Sequence, residues 1–202
     1  MISSKFECVD KGPLQMFLGM QIQRDGDTGD ISMNQSAYID DMLQRHGMHQ
    51  CRTTTTPLDA GYQVACNEKT CEQVDATAYQ SAIGELMWLA LTSRPDIYHS
   101  VVKLAQRNNN PHTEHLTGVK YVMRYLAATK DLKLNYHGCG QALGGYVDAD
   151  WGGDMSNRRS YTGYAFFLAG GPISWKSEKQ NSVALSSTEA EYMALSSAAK
   201  EA

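Results

Sequence analysis

Apolar residues alternate with polar ones near the start of the chain and then recur with helical spacing. Residues 16–24 alternate as a β-strand does, residues 25–30 form a turn cluster, and residues 31–33 supply a short return strand. Asn34 is a good N-cap for the amphipathic helix that follows, and Gly47 is a typical stop signal for that helix. The pattern therefore predicts an N-terminal hairpin followed by a helix.

Three more apolar stripes with helical spacing follow a proline-broken, extended connector over residues 50–74. The stripes comprise Tyr79, Ile83, Leu86 and Leu91, then Ile97, Val101 and Leu104, and finally Leu116, Val119, Met123 and Leu126. Residues 94–95 and 108–111 separate the stripes, and Asp96 is placed to cap the second helix. Short helices joined by short breaks predict a small helical bundle.

From residue 132 the pattern changes to short strands. The strand-like segments are residues 132–136, 143–147, 161–168 and 173–177, and a helix follows from about Thr188. We therefore predict an α+β fold, with the hairpin and bundle in residues 1–129 and an antiparallel or mixed sheet with one helix in residues 130–202. The final helix reaches Ala202 without a glycine or proline stop, so we expect the second domain to be truncated.

Composition narrows the class of protein. An apolar content of 42% and a charged content of 20% are ordinary for a globular domain. No apolar run is long enough to span a membrane and the N-terminus lacks a signal-peptide core, which predicts an intracellular protein, cytoplasmic or nuclear, that is not secreted. The five cysteines are scattered, with Cys66 and Cys71 as the single close pair, so reduced thiols are expected.

The net charge of −4 argues against nucleic-acid binding by bulk electrostatics, but the charge is unevenly distributed. Six basic residues, against Glu114 and Asp131, lie between residues 103 and 133. They are Lys103, Arg107, Lys120, Arg124, Lys130 and Lys133. The segment is either a phosphate-facing surface or an ordinary solvated helix face.

Two pairs of carboxylates are the main candidates for chemistry. Asp148 and Asp150 end a predicted strand on one face, and Glu189 and Glu191 open the last predicted helix. Carboxylate oxygens on adjacent elements are the ligands that Mg²⁺ prefers, so Asp148, Asp150 and Glu189 are candidate metal ligands. A capped strand end would explain the aspartates equally well.

The glutamates have a structural alternative as well. Ser186 with Glu189, and Thr188 with Glu191, both match the pattern of a helix capping box. If Thr188 caps the helix and Glu191 closes the box, Glu189 is left facing a ligand. We therefore predict a functional role for Glu189 and a structural role for Glu191.

Two other polar pairs are weaker candidates. His112 and His115 lie on one helical face without a third ligand nearby, which favours a surface or helix N-terminal pair over a metal site. Arg158 and Arg159 lie in a polar loop before a strand, where they either contact phosphate or are simply exposed.

Taken in order along the chain, a set of short motifs resembles the polymerase tail of copia-type retrotransposon polyproteins. The motifs are Phe17-Leu18-Gly19, Thr56-Pro57-Leu58, Tyr79 to Leu86, Ser93-Arg94-Pro95-Asp96, Tyr146 to Trp151, Arg159 to Tyr164, Ile173 to Ser177 and Ala184 to Tyr192. They cover nearly the whole chain in the order of the family, which makes the resemblance specific.

The resemblance implies a fold and an activity for each part. Residues 1–129 resemble the end of the reverse transcriptase palm with its thumb and connection, and residues 130–202 resemble the first half of a ribonuclease H domain. That enzyme cuts the RNA strand of an RNA–DNA hybrid with two Mg²⁺ ions, and Asp148 and Glu189 match its catalytic carboxylates. The implied partners are an RNA–DNA hybrid, or another nucleic acid, and the remainder of the polyprotein.

The chain also departs from the family pattern. The polymerase aspartates precede Met1 in the family, and the later ribonuclease aspartates follow Ala202. We therefore expect this chain alone to have negligible nuclease activity. The alternative hypothesis is a non-catalytic module that binds nucleic acid through the basic helices of residues 103–133, with Arg158 and Arg159 as further contacts.

Overall fold

The computed structural model describes residues 7, 9, 12–59, 61, 62, 64, 71–138 and 140–202. The strands are β1 (Met16–Phe17), β2 (Met20–Arg24), β3 (Ile31–Asn34), β4 (Leu134–Tyr136), β5 (Gly144–Ala149), β6 (Tyr161–Leu168) and β7 (Gly171–Lys179). The helices are α1 (Ser36–Arg45), α2 (Ala76–Thr92), α3 (Tyr98–Ala105), α4 (Thr113–Ala128) and α5 (Ser187–Ala199). The predicted α+β class is confirmed.

The N-terminal hairpin is present with one more turn than predicted. Leu18 (φ 49°) and Gly19 (φ 78°) form a tight turn that splits the expected strand into β1 and β2. Positive φ at two successive residues is the geometry of a two-residue hairpin turn. β2 then pairs antiparallel with β3, as the turn cluster over residues 25–30 predicts.

The first helix begins later than the sequence suggests. Asn34 is the last residue of β3, where it pairs with Gln21, so its prediction as the N-cap is wrong. Gln35 occupies the N-cap without a side-chain cap, since its Oε1 instead accepts hydrogen bonds from Thr92 Oγ1 and Ser93 Oγ at 2.6 Å each. Gly47 (φ 64°) ends the helix as predicted.

Helices α2 to α4 form the predicted bundle, and α1 joins them around one apolar core. Its fully buried side chains include Ile39, Met42, Tyr79, Leu86, Leu89, Ile97, Leu104, Met123 and Leu126. The predicted cap of α3 by Asp96 is wrong, because a short 3-10 turn at Pro95–Ile97 leads into α3 and Asp96 pairs with Arg94. The bundle supplies the interior of the first part of the chain.

β4 does not join the sheet that follows it. Leu134–Tyr136 pairs antiparallel with β3, so the first sheet has the order β1-β2-β3-β4 and the prediction that this segment starts the later meander is wrong. The buried Leu134 lies opposite Met33, which gives this short strand its apolar contact. The domain boundary between residues 129 and 130 stays a prediction.

The second sheet is the antiparallel meander β5-β6-β7, with helices on both faces. Helix α5 packs against β5 and β6, and α3 contacts β7. Trp175 on β7 donates its indole N–H to the carbonyl of Ala90 in α2 at 2.8 Å, which ties the sheet to the bundle.

The structure also bears on the predictions about membrane spans and cysteines. No helix in the described part of the chain is long and apolar enough to cross a membrane. Cys51 is a free thiol. Cys8, Cys66 and Cys139 lie outside the described residues. The spacing of Cys66 and Cys71 is therefore not described by the structure.

Candidate functional site on the second sheet

The strand register decides which face of the second sheet carries Asp148. Asp148 lies opposite Gly163 on β6, and Gly163 lies opposite Ser177 on β7. Directly opposed residues of an antiparallel pair share a face. Ser177 Oγ contacts His99 Nδ1 of α3 at 3.0 Å, so the exposed side chain of Asp148 lies on the α3 side of the sheet.

Helix α5 covers the other face. Gln180 donates from Nε2 to Thr162 Oγ1 at 3.1 Å and to the α5 carbonyl of Ala190 at 2.9 Å, and Ser197 donates to Glu178 Oε1 at 2.9 Å. Thr162 and Glu178 are opposed residues of β6 and β7. Asp148 therefore points away from the face that α5 covers.

Glu189 lies at the start of α5, where it caps the helix. Ser186 is the N-cap, its Oγ accepts the Glu189 N–H at 3.1 Å, and Glu189 Oε2 accepts the Leu185 N–H at 2.7 Å. The predicted assignment, with Thr188 as cap and Glu191 closing the box, is wrong. The side chain of Glu189 also borders a cleft of about 480 Å³ between β7 and α5.

The three candidate metal ligands are not gathered into one cluster. Asp148 and Glu189 belong to different sides of the sheet, and Asp150 accepts the Tyr161 N–H through Oδ1. Among the residues that the structure describes, no group of three or more His, Cys, Asp or Glu side chains is arranged to hold a metal ion. The catalytic and metal-binding roles of these carboxylates stay predictions.

A polar junction joins the loop before β6 to the end of β7. Asp154 accepts hydrogen bonds from Lys179 Nζ and from Ser156 Oγ, the latter at 2.6 Å. Burial raises the pKa of Asp154, but these hydrogen bonds and the charge of Lys179 outweigh it and lower the pKa to about 2. The loop that carries Arg158 and Arg159 is therefore anchored at one end by an ion pair.

Replacing Asp154 with asparagine should destabilise the protein by about 1 kcal/mol at neutral pH. A carboxyl whose folded pKa is lowered stabilises above its unfolded pKa, and that contribution is lost as the pH falls toward 2. Urea unfolding at pH 7 and at pH 2.5 measures this, and the gap between the wild type and Asp154→Asn should narrow at the lower pH. A constant gap would contradict the assignment; Asp131→Asn, in an exposed turn, is the control.

The two loop arginines have different surroundings. Arg158 is exposed and has a positive φ of 59°, whereas Arg159 is half-buried and its carbonyl accepts the Asp154 N–H at 3.1 Å. Arg158 is thus the more exposed of the two arginines.

Lys103 of α3 and Arg107, just after that helix, face the same junction. Lys103 is half-buried, with Nζ 5.9 Å from the centre of the Tyr161 ring and 3.4 Å from the carbonyl oxygen of Tyr62. Arg107 is also half-buried and lines a small cavity with Lys103 and Asp154. Lys103 and Arg107 are therefore next to the sheet rather than on an open helix face.

Lys120 and Arg124 are one turn apart on α4. Lys120 is exposed, while Arg124 donates to the Arg52 carbonyl and lies 5.5 Å from the centre of the Tyr121 ring. They form a second basic surface, on the bundle.

The histidine pair of α4 has a structural role. His115 Nδ1 accepts the His112 N–H at 2.9 Å, and both side chains are buried. The predicted helix N-terminal pair is confirmed, although it is not on the surface.

His99 was missed by the sequence analysis. Its ring contacts Ser177 and lies edge-on to Tyr161, with ring centres 5.1 Å apart. The His99 side chain is in part exposed, but desolvation by its neighbours and the charge of Lys103 lower its pKa. No sequence signal marks this residue, because its partners lie more than sixty positions away on β6 and β7.

The chain is thus an α+β protein in which a helical bundle packs on a carboxylate-bearing antiparallel sheet. It is 40% identical over 207 residues to the retrovirus-related Pol polyprotein from transposon TNT 1-94 of Nicotiana tabacum, and 37% identical over 201 residues to that from transposon RE1 of Arabidopsis thaliana. Each alignment covers 99% of the chain, but only 15% and 13% of the polyproteins. It is also 50% identical over 125 residues to the secreted RxLR effector protein 161 of Plasmopara viticola, covering 61% of the chain and 88% of that protein.

Over nearly its whole length the chain is therefore similar to one segment of retrovirus-related Pol polyproteins of transposons. No protein-family model matches the chain, and no solved structure does.

Proposed function

We propose that this segment belongs to the reverse transcriptase and ribonuclease H region of a retrotransposon Pol polyprotein and contacts the RNA–DNA hybrid there. The observation that supports the proposal is the match of 99% of the chain to Pol polyproteins, together with a carboxylate-bearing sheet that packs against basic helices. In the whole polyprotein the activities would be RNA-templated DNA synthesis and hydrolysis of the RNA strand. The remainder of the polyprotein is the implied partner.

Magnesium does not fit the described side chains alone. Two ions held against a phosphodiester need several carboxylates on one side, and Asp148 and Glu189 are on different sides of the sheet. Asp150 is engaged by the Tyr161 N–H. We therefore derive no hydrolytic step from this chain and propose that, by itself, it binds the hybrid without cutting it.

The proposal is tested by binding and cleavage in one experiment. The purified chain should retain a labelled RNA–DNA hybrid with salt-dependent affinity, and the RNA strand should stay intact in the presence of Mg²⁺. Absence of any binding at low salt would overturn the proposal. Cleavage that disappears in Asp148→Asn would instead show that the chain is an active nuclease.

Lys120 is exposed and Arg124 is half-buried beside it on α4, and their joint replacement by alanine should weaken hybrid binding about tenfold. Each lost phosphate contact lowers the slope of log affinity against log salt by about one, so the slope should fall by about two. The measurement is fluorescence anisotropy over a salt series. Arg24→Ala with Lys200→Ala removes two exposed charges elsewhere and is the control; an equal effect there would contradict a localised surface.

A further inference from the structure

We propose that the sheet face above Gly163, between Asp148 and the His99–Ser177 pair, receives a backbone phosphate of the bound nucleic acid, with His99 as a direct contact. This inference rests on the proposed function and assigns a specific position to its ligand. For brevity, the space above Gly163 is called the Gly163 slot.

The Gly163 slot is open because its central residue has no side chain. A Cβ added to Gly163 would meet no heavy atom within 4 Å. Asp148 and Ser177 are its opposed neighbours on β5 and β7, and strands lie about 4.8 Å apart, so their backbones are roughly 10 Å apart across the slot. That width accommodates a phosphate with its hydrogen-bonding partners.

His99 is held at one side of the slot. The contact of its Nδ1 with Ser177 Oγ fixes the ring, and the edge-on packing against Tyr161 fixes its tilt. Tyr161 is two residues from Gly163 on β6, so both face the same side of the sheet. The partly exposed imidazole is therefore adjacent to the slot and can hydrogen-bond to a phosphate oxygen through Nε2.

Charges around the slot are divided between its two sides. Lys103 and Lys179 both lie within 6 Å of the Tyr161 ring centre, on the His99 side, although Lys179 is partly neutralised by Asp154. Asp148 is on the opposite side, and Asp150 is close enough to His99 to influence its charge. A phosphate is accordingly favoured at the His99 and Lys103 side and disfavoured beside Asp148.

The slot uses both predicted domains, since α3 carries His99 and Lys103 while the sheet carries Gly163 and Ser177. The helical part would thus position the nucleic acid against the sheet that bears the candidate carboxylate.

The test fills the slot and removes its contact separately, in the full chain. Gly163→Val should weaken binding of a labelled RNA–DNA hybrid about tenfold, and His99→Ala should do the same by removing one contact to an anionic oxygen. Gly144→Val, at another strand glycine with no neighbour within 4 Å, and His49→Ala, on an exposed turn, are the matched controls and should bind as the wild type does.

Thermal melting of each variant separates binding from folding, and β-branched valine suits a strand position. If Gly163→Val melts early, His99→Ala on the helix surface decides the question. Wild-type affinity in either well-folded variant would overturn the proposal that the Gly163 slot binds a phosphate, and would leave the proposed function intact. Absence of binding by the wild type would overturn the proposed function itself.

Discussion

Replacing Arg94 with methionine should lower the free energy of unfolding by about 3 kcal/mol and the melting temperature by about 10 °C. Arg94 is only 2% exposed, and its guanidinium makes four hydrogen bonds. It donates to both oxygens of Asp96 at 3.0 and 2.7 Å and to the carbonyl and hydroxyl of Thr129 at 3.0 and 2.6 Å. Removing the cation takes these donors from Thr129 and leaves Asp96, in a partly buried site, with the Tyr125 hydroxyl at 2.8 Å as its side-chain donor.

The pair with Asp96 can be isolated by a double-mutant cycle. Burial raises the pKa of Asp96, but the hydrogen bond and charge of Arg94 outweigh it and hold that pKa below its usual value. Asp96→Asn in the Arg94→Met background should therefore recover part of the loss. Arg52→Met, at an exposed arginine, is the control, and a similar loss there, or none at Arg94, would contradict the argument.

Replacing Gly171 with alanine should destabilise the chain by about 2 kcal/mol, because it crowds the point where the two sheets meet. A Cβ at Gly171 would lie 2.5 Å from the carbonyl oxygen of Asn135 and 2.7 Å from ring atoms of Tyr136. The backbone oxygen cannot rotate away as a flexible side chain does. The start of β7 must therefore move away from β4.

Denaturant unfolding measures that loss, and hydrogen exchange locates it. The His137 N–H donates to the Ala169 carbonyl at 2.7 Å across the junction, so its protection should fall most. Gly144→Ala is the matched control, since a Cβ there meets nothing within 4 Å. Equal destabilisation by both substitutions would mean that alanine disfavours any strand glycine position, and would contradict a specific clash between β7 and β4.

Local patterns were sufficient for the hairpin and the helices but not for the sheet partners. The stripes of α2 and α4 and the positive φ of Gly47 follow from spacing and residue type. β4 has three residues, and alternation alone does not say which of two sheets it joins. Its pairing with β3 depends on how the bundle brings the two strands together, which is a property of the packed chain.

The candidate site was also predictable only in part, because its details depend on how the elements pack together. The strand ending in Asp148 and the helix beginning near Glu189 follow from the sequence, but two overlapping capping boxes left the helix start open. The register with Ser186 as cap places Ala190, Ala194 and Ala198 on one buried face, and that packing against the sheet decides the matter. The sequence presented the capping role of Glu189 as one of two alternatives, and the packing of α5 selects it.

The pairing of β3 with β4 has a consequence for how the chain folds. Ile31 lies beside Tyr136, so the last strand of the first sheet is made roughly a hundred residues after its neighbour. During synthesis the hairpin edge stays unpaired while the four helices emerge and collapse. Variants that slow the folding of the helical bundle should therefore lengthen the time during which the unpaired edge of β3 can pair with other chains.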